Sequence, residues 1–330
     1  MAGAVQNNVG GWREYIQQLI DARESGPNVL GIFPFQLHPA ATKGTALGRL
    51  MPALQTIAAP DPNAPPEPRA QVICRDLAQF IAQWIGAQGA QKLVVFISHT
   101  KRASEGEGRR VARLIELVRG VIARTRLNDF FDARSLESGG DFKAQLLANA
   151  GRGAFLALRT DLYAGREWCQ LEMITSKDAG LPIVMLEALE TQEERGSFVM
   201  DHVPRVAVRY EGGDWREPDI FRALGILVDE ALKRVLWHRQ AELAQGVPEL
   251  DVAWWAPHAP EPLTLTQWLS LEKGKKRRRK LSKDKPLRIL HPDPPLSPNE
   301  RDKLNQLVAL CGFPKGLDIM TPRLLAARGG

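Results

Sequence analysis

Val94-Val-Phe-Ile-Ser-His-Thr100 reads as a buried strand that stops abruptly in three polar residues. An uninterrupted apolar run of that length suits a strand covered on both faces, as in a parallel sheet. Working outward, the same unit recurs. Strand A is Lys92 to Ser98, and a helix with apolar positions at Val111, Leu114, Ile115, Val118 and Ile122 follows it. Strand B is Leu127 to Asp132, and a short helix, FKAQLLANA, comes next. Strand C is Gly153 to Arg159, and a polar loop leads into the helix REWCQLEMITSKDAG. Strand D is LPIVMLEAL, strand E is VPRVAVRY, and a long helix from Asp219 to Gln240 closes the series. Alternation of this kind specifies an α/β domain over residues 91–240, with parallel strands joined by right-handed crossovers.

The crossover rule brings the carboxyl ends of all the strands to one edge, where open α/β sheets bind ligands. Ser98 and His99 end strand A, Asp132 ends strand B, and the loop after strand C leads to Trp168 and Glu172. Trp168 and Glu172 stand four residues apart, so a helix stacks them on one face. A lone carboxylate beside an aromatic can cleave a glycosidic bond whose leaving group is already activated. Each residue also has an ordinary alternative. Glu172 could be a solvated helix residue, Trp168 packing between helix and sheet, His99 a turn residue, Asp132 a loop brace and Cys169 a small buried hydrophobe.

The flanks are less regular. Residues 1–90 carry two amphipathic helices and one strand, VLGIFPFQL, around a Pro-rich loop, and read as a partial α/β unit. Residues 241–286 read as a Pro- and Trp-rich linker ending in a basic run, with the Trp254-Trp255 pair and Trp268 suggesting that it docks in part. Residues 287–330 restart the pattern as a short α/β segment that breaks off where a further domain would begin.

Composition narrows the function. The chain has 330 residues, 44% of them hydrophobic and 25% charged, which is ordinary for a globular protein. No apolar run is long enough to span a bilayer, and the amino-terminal stretch lacks the blocks of a signal peptide, so a cytoplasmic location and no membrane partner are expected. The net charge of +6 is local: Lys273 to Lys285 holds nine basic residues against one acid. Without interleaved aromatics that run reads as a solvated linker, and nucleic acid is not an expected partner. Three scattered cysteines offer neither a disulfide framework nor a metal-ligand spacing, so no metal is expected. No dinucleotide GxGxxG occurs.

The ordered segments FISHT, FFDARSLESGGDF, GAFLALR, YAGREWCQLEM and LPIVMLEAL resemble a bacterial TIR domain. The first family box corresponds to Val95 to His99, the second to Phe131-Asp132 with the loop Ala133 to Asp141, and the Trp-Cys-x-x-Glu signature to Trp168 to Glu172. The resemblance implies a flavodoxin-like fold of five parallel strands. It also implies an NAD+ nucleosidase that breaks the nicotinamide–ribose bond, with NAD+ as substrate and no cofactor, releasing ADP-ribose or a cyclic product. Glu172 would then be catalytic. Phe96, Ser98 and His99 fall in the first box, Phe131 and Tyr163 are candidates to stack on a ring, and Trp168 would wall the pocket. Lys101, Arg102 and Arg134 would pair with the pyrophosphate, and Asp132 would support the mobile loop. The family setting is antiphage defence or cell-death signalling through self-association, including filaments. The amino-terminal unit looks like a degenerate TIR remnant, and the carboxyl-terminal segment is similar to a connector toward a SLOG-type sensor domain. The alternatives are a noncatalytic TIR scaffold and an N-glycosidase acting on other bases.

Overall fold

The computed structural model describes residues 9–25, 31–36, 44–50, 57–58, 63, 66–86, 93–100, 105–125, 127–130, 153–191, 193, 196–247, 250–274 and 281–328. The chain divides into two compact units, residues 1–89 and 90–330. The first contains helices α1 (Trp12–Glu24), α2 (Ala46–Leu50) and α3 (Pro66–Ile85) and a parallel pair, β1 (Phe35–Gln36) with β2 (Ile57–Ala58). Among the described residues of the expected strand VLGIFPFQL, Phe35 and Gln36 are the ones that pair. Pro34, immediately before them, has no N–H to give to a ladder.

The second unit is mixed α/β and is built on a five-stranded sheet, all of whose neighbouring strands run parallel. Its strands are β3 (Val94–Ser98), β4 (Asn128–Phe130), β5 (Gly153–Arg159), β6 (Ile183–Glu187) and β7 (Arg205–Ala207), in the spatial order β4-β3-β5-β6-β7. The chain starts at β3, steps to one side for β4, then reverses to the other for β5 to β7. Such a reversal opens a crevice between the carboxyl ends of the first strand and its neighbour across the switch point, here β3 and β5. Every residue of β5 is buried.

Side chains alternate across the sheet. Phe96, Phe155, Ala157 and Met185 meet α5 (Glu167–Asp178) through Cys169 and Met173. Val95, Leu156, Leu158 and Val184 are equally buried on the other face, where α4 (Glu105–Ala123) and α6 (Glu217–Gln245) pack. Strand E is shorter than the sequence pattern suggests. After β7 the chain turns into a small hairpin, β8 (Tyr210–Glu211) with β9 (Asp214–Trp215), whose two turn residues Gly212 and Gly213 have φ of 62° and 90°. Two consecutive positive φ values are the geometry in which glycine replaces other residues at no steric cost. The helix expected at FKAQLLANA, the loop Ala133 to Asp141 and the residues 275–280 of the basic run lie outside the described residues.

The segment expected as a linker is instead structural. Trp254–Trp255 forms β10, which pairs in parallel with β11 (Leu287–Leu290), and β11 pairs with β12 (Leu317–Met320). Helices α7 (Pro262–Gly274), α8 (Pro298–Leu310) and α9 (Pro322–Arg328) complete a small α/β module. Its own core contains Leu265, Leu269, Leu287, Ile289, Leu304, Val308 and Ile319. Trp254 stacks on Trp268 with ring centroids 5.0 Å apart. Helix α6 runs on past residue 240, and its Trp237 and Ala241 pack with Trp255, Leu290 and Met320. The helix therefore crosses the boundary expected at residue 240. A strand of two residues inside a Pro-rich stretch leaves too short a pattern to read. Gly180, with φ of 60°, admits the close approach: a Cβ there would collide with the ring of Pro257.

His291, at the end of β11, is fully buried. Its Nδ1–H donates to Pro292 O at 2.8 Å and its Nε2 has no partner. Burial pushes its pKa below the ordinary 6.5. The folded state therefore holds this ring neutral while the unfolded chain takes up its proton first. Its stabilisation is complete above the unfolded pKa of about 6.5 and is lost as pH falls from there toward the lower folded value. The urea midpoint is expected to drop between about pH 7 and about pH 5, with a shallower slope in a His291→Gln variant. Equal slopes in the two proteins would remove His291 from the explanation.

Candidate active site

Ser98 is the last residue of β3, and the strand's pleat turns it to the α5 side. Beyond β5 the chain makes a turn at Thr160, with Tyr163 N–H donating to Thr160 O at 3.0 Å, and reaches α5 at Glu167. Asp161 anchors the neighbouring loop, accepting from the N–H groups of Glu190 and Thr191, both at 3.0 Å. Trp168 lies in the first turn of α5 and Glu172 one turn on. Side chains from the ends of β3 and β5 and from the first two turns of α5 thus meet at the switch point.

Four of these side chains form one hydrogen-bonded chain. Ser98 Oγ–H donates to Glu172 Oε2, and Trp168 Nε1–H donates to Glu172 Oε1. Ser98 Oγ in turn lies 2.7 Å from Tyr163 OH. Since the Ser98 proton is committed to Glu172, the phenol is the donor to Ser98. Tyr163 is fully buried, and burial holds its pKa well above 10, so its O–H persists as a donor. Glu172 is only 5% exposed and Ser98 4%, while Trp168 is half-buried. A carboxylate with both oxygens bonded is fixed in orientation as well as position. Its electrostatic reach is greater than in water because burial removes screening.

The other expected site residues divide into three groups. His99 is half-buried, its Nδ1 3.0 Å from Thr100 O, and its own carbonyl receives the Cys169 thiol at 3.8 Å. Phe96 sits 3% exposed in the core below the cluster, against the α5 side of the sheet. Lys101, Arg102, Phe131, Asp132 and Arg134 lie outside the described residues. Sequence reasoning missed Thr100 and Thr160, both buried, whose hydroxyls are 3.4 Å apart across the β3–β5 crevice. It also missed Arg159, which ends β5 in an ion pair with Glu193 and, at 3.0 Å, with Glu187. A polar residue two places beyond Ser98, and one directly after the apolar run of β5, were the available signals. Among the described residues no His, Cys, Asp and Glu cluster is suited to a metal ion, and no helix is long and apolar enough to cross a membrane.

No protein-family model and no curated protein matches the chain. Among solved structures, the sugar isomerase domain of an RpiR transcription factor from Sphaerobacter thermophilus is similar at 16% identity, over 55% of this chain and 98% of that one. The TM-score is 0.25, too low to bear on the fold or the site.

Proposed function

We propose that residues 91–240 form a TIR-type domain of flavodoxin-like topology that cleaves NAD+ between nicotinamide and ribose. The observation that carries this reading is the buried Glu172 carboxylate, held between Ser98 and Trp168 at the switch-point crevice. The strand order β4-β3-β5-β6-β7 supports it, because it is the 2-1-3-4-5 order of flavodoxin-like sheets.

The chemistry needs little more than this. Most glycosidases use a second carboxyl group to protonate the leaving oxygen. In NAD+ the leaving group is a cationic pyridinium. The C–N bond breaks with its electron pair going to the ring nitrogen, and nicotinamide departs neutral. The positive charge moves to the ribose as an oxocarbenium ion. Glu172 stabilises that charge from a fixed distance, without reorganising at the moment of reaction. Water then adds to the sugar carbon and loses a proton, giving ADP-ribose; attack by a nitrogen of the adenine gives a cyclic product instead. Trp168 shields the sugar from solvent. Phe131 provides a ring to stack against, Asp132 supports the loop, and Lys101, Arg102 and Arg134 bind the pyrophosphate. Self-association lets the loop after β4 of one copy complete the crevice of another. The setting is cytoplasmic defence or cell-death signalling, with a SLOG-type sensor as the further partner.

A second reading is a noncatalytic TIR scaffold. The observation in its favour is that both Glu172 oxygens already have donors within the protein, as they would in a purely structural role. Incubation of the purified chain with NAD+ separates the two. Nicotinamide release that rises more than linearly with protein concentration is expected for the enzyme. Silence at every concentration, including under crowding that drives self-association, would leave the scaffold.

A further inference from the structure

The hydrogen-bonded chain at the switch point treats the two charge states of Glu172 unequally. One carboxylate oxygen faces the Trp168 indole N–H, which can only donate, so a proton on that oxygen would meet another proton. The other oxygen faces the Ser98 hydroxyl. A proton there would force Ser98 to turn round, accept from Glu172 and donate to Tyr163. The Tyr163 phenol would then lose the acceptor it has in Ser98, 2.7 Å away, at a position with no exposure to solvent. With Glu172 ionised, each donor of the chain has its acceptor. With Glu172 protonated, a buried phenol proton is orphaned, which is unfavourable.

Other ionisable groups pack near this chain. Burial, and after it the neighbouring Cys169, keep the Tyr163 pKa well above 10, so the phenol remains a donor. On the β3 side, His99 follows Ser98 and its Nδ1 is turned to Thr100 O. On the α5 side of the sheet, β5 ends in Arg159, which is held by Glu187 and Glu193. Along α5 itself, Glu167 opens the helix and Lys177, near its end, is bound to Glu261. Ser98 is the point through which the phenol acts on the carboxylate.

We infer that Ser98, backed by Tyr163, is a positioning residue that holds Glu172 in its charged form, and that it is not a contact for substrate. The use of that charge rests on the proposed NAD+ cleavage, whereas the charge itself is read independently of any activity. A hydroxyl that donates to a carboxylate favours the ionised state directly. Tyr163 polarises that hydroxyl, so its own influence is smaller and passes only through Ser98.

The test is a pH titration, by nuclear magnetic resonance, of the Trp168 indole N–H in the full chain carrying isotope-labelled tryptophan. That N–H is bonded to Glu172, so its resonance follows the charge on the carboxylate. Trp168→Phe identifies the resonance, and Glu172→Gln should abolish its response. Ser98→Ala should move the midpoint up by about one pH unit, as loss of a bond to a charged acceptor implies. Tyr163→Phe should move it the same way by about 0.3 unit or less. Ser98→Ala combined with Tyr163→Phe removes both buried hydroxyls and leaves neither unpaired, so it keeps the test open should Ser98→Ala alone fail to fold. Its midpoint should match that of Ser98→Ala. The acid limb of nicotinamide release should be displaced by the same amount, with KM for NAD+ unchanged. Equal pH responses in the wild type and in both proteins carrying Ser98→Ala would overturn the inference. A further upward move on adding Tyr163→Phe to Ser98→Ala, or a raised KM with an undisplaced limb, would also overturn it. A displaced resonance with no nicotinamide release by the wild type would instead remove the NAD+ reading and leave the role of Ser98 standing.

Discussion

Glu172→Ala is expected to lower nicotinamide release from NAD+ by about 10²-fold to 10³-fold, the usual effect of removing one preorganised electrostatic group. The alanine variant has a weakness, since it also strips acceptors from Ser98 and Trp168 inside a buried cluster. Glu172→Gln is the cleaner experiment. Trp168 can only donate, so the glutamine must turn its carbonyl toward the indole and its amide toward Ser98. Ser98 then swings its proton to Tyr163, and the direction of the chain reverses. The number of bonds stays at three, but the buried Tyr163 proton no longer has an acceptor, which costs about 1 kcal/mol or somewhat more. The glutamine variant should therefore melt near the wild type while losing about as much activity as the alanine variant, by the same electrostatic reasoning. A glutamine enzyme within a few-fold of wild type would show that the negative charge is not what the reaction uses.

The second large effect concerns stability. Lys177 ends α5, and its Nζ lies 2.8 Å and 3.2 Å from the two Glu261 oxygens and 2.7 Å from Asp201 O. The side chains of Lys177 and Glu261 are 3% and 4% exposed. Lys177→Met leaves Glu261 buried with no cation, and breaking one side of such a pair costs about 3–5 kcal/mol. Replacing both partners with apolar residues of similar volume is often close to neutral, so Lys177→Met with Glu261→Leu should recover most of the loss. Urea unfolding followed by tryptophan fluorescence measures all three proteins. A single-variant loss below about 1 kcal/mol would mean that the pair is screened as surface pairs are. The contact matters beyond its energy. His258 Nε2 donates to Lys177 O at 3.1 Å and Gln267 donates to Asp178 at 2.8 Å, so the module grips the far end of the helix that carries Glu172.

Much of this molecule can be read from its chain because the strongest signals are local. Strands β3, β5 and β6 are buried on both faces and so appear as unbroken apolar runs, VVFIS, GAFLALR and IVMLE. The stacking of Trp168 on Glu172 follows from helical spacing, and the indole-to-carboxylate bond is its direct outcome. Tyr163 was expected to stack on a ring; its hydroxyl instead closes the chain to Ser98. Nothing local foretells that bond, since the partners are 65 residues apart. The two-residue strand β10 left no periodicity to detect, and a Pro-rich flank concealed a structural element as a linker.

Periodicity and strand order in the chain were enough to establish an α/β sheet and to bring Ser98, Trp168 and Glu172 to one edge of it, because burial on two faces and helical repeat act within a few residues. The direction of the hydrogen bonds on Glu172 and the pairing of Lys177 with Glu261 had to await packing. Each depends on side chains from distant segments sharing a space that water has left, and desolvation makes the difference between a matched and an unmatched group large only once the fold has closed.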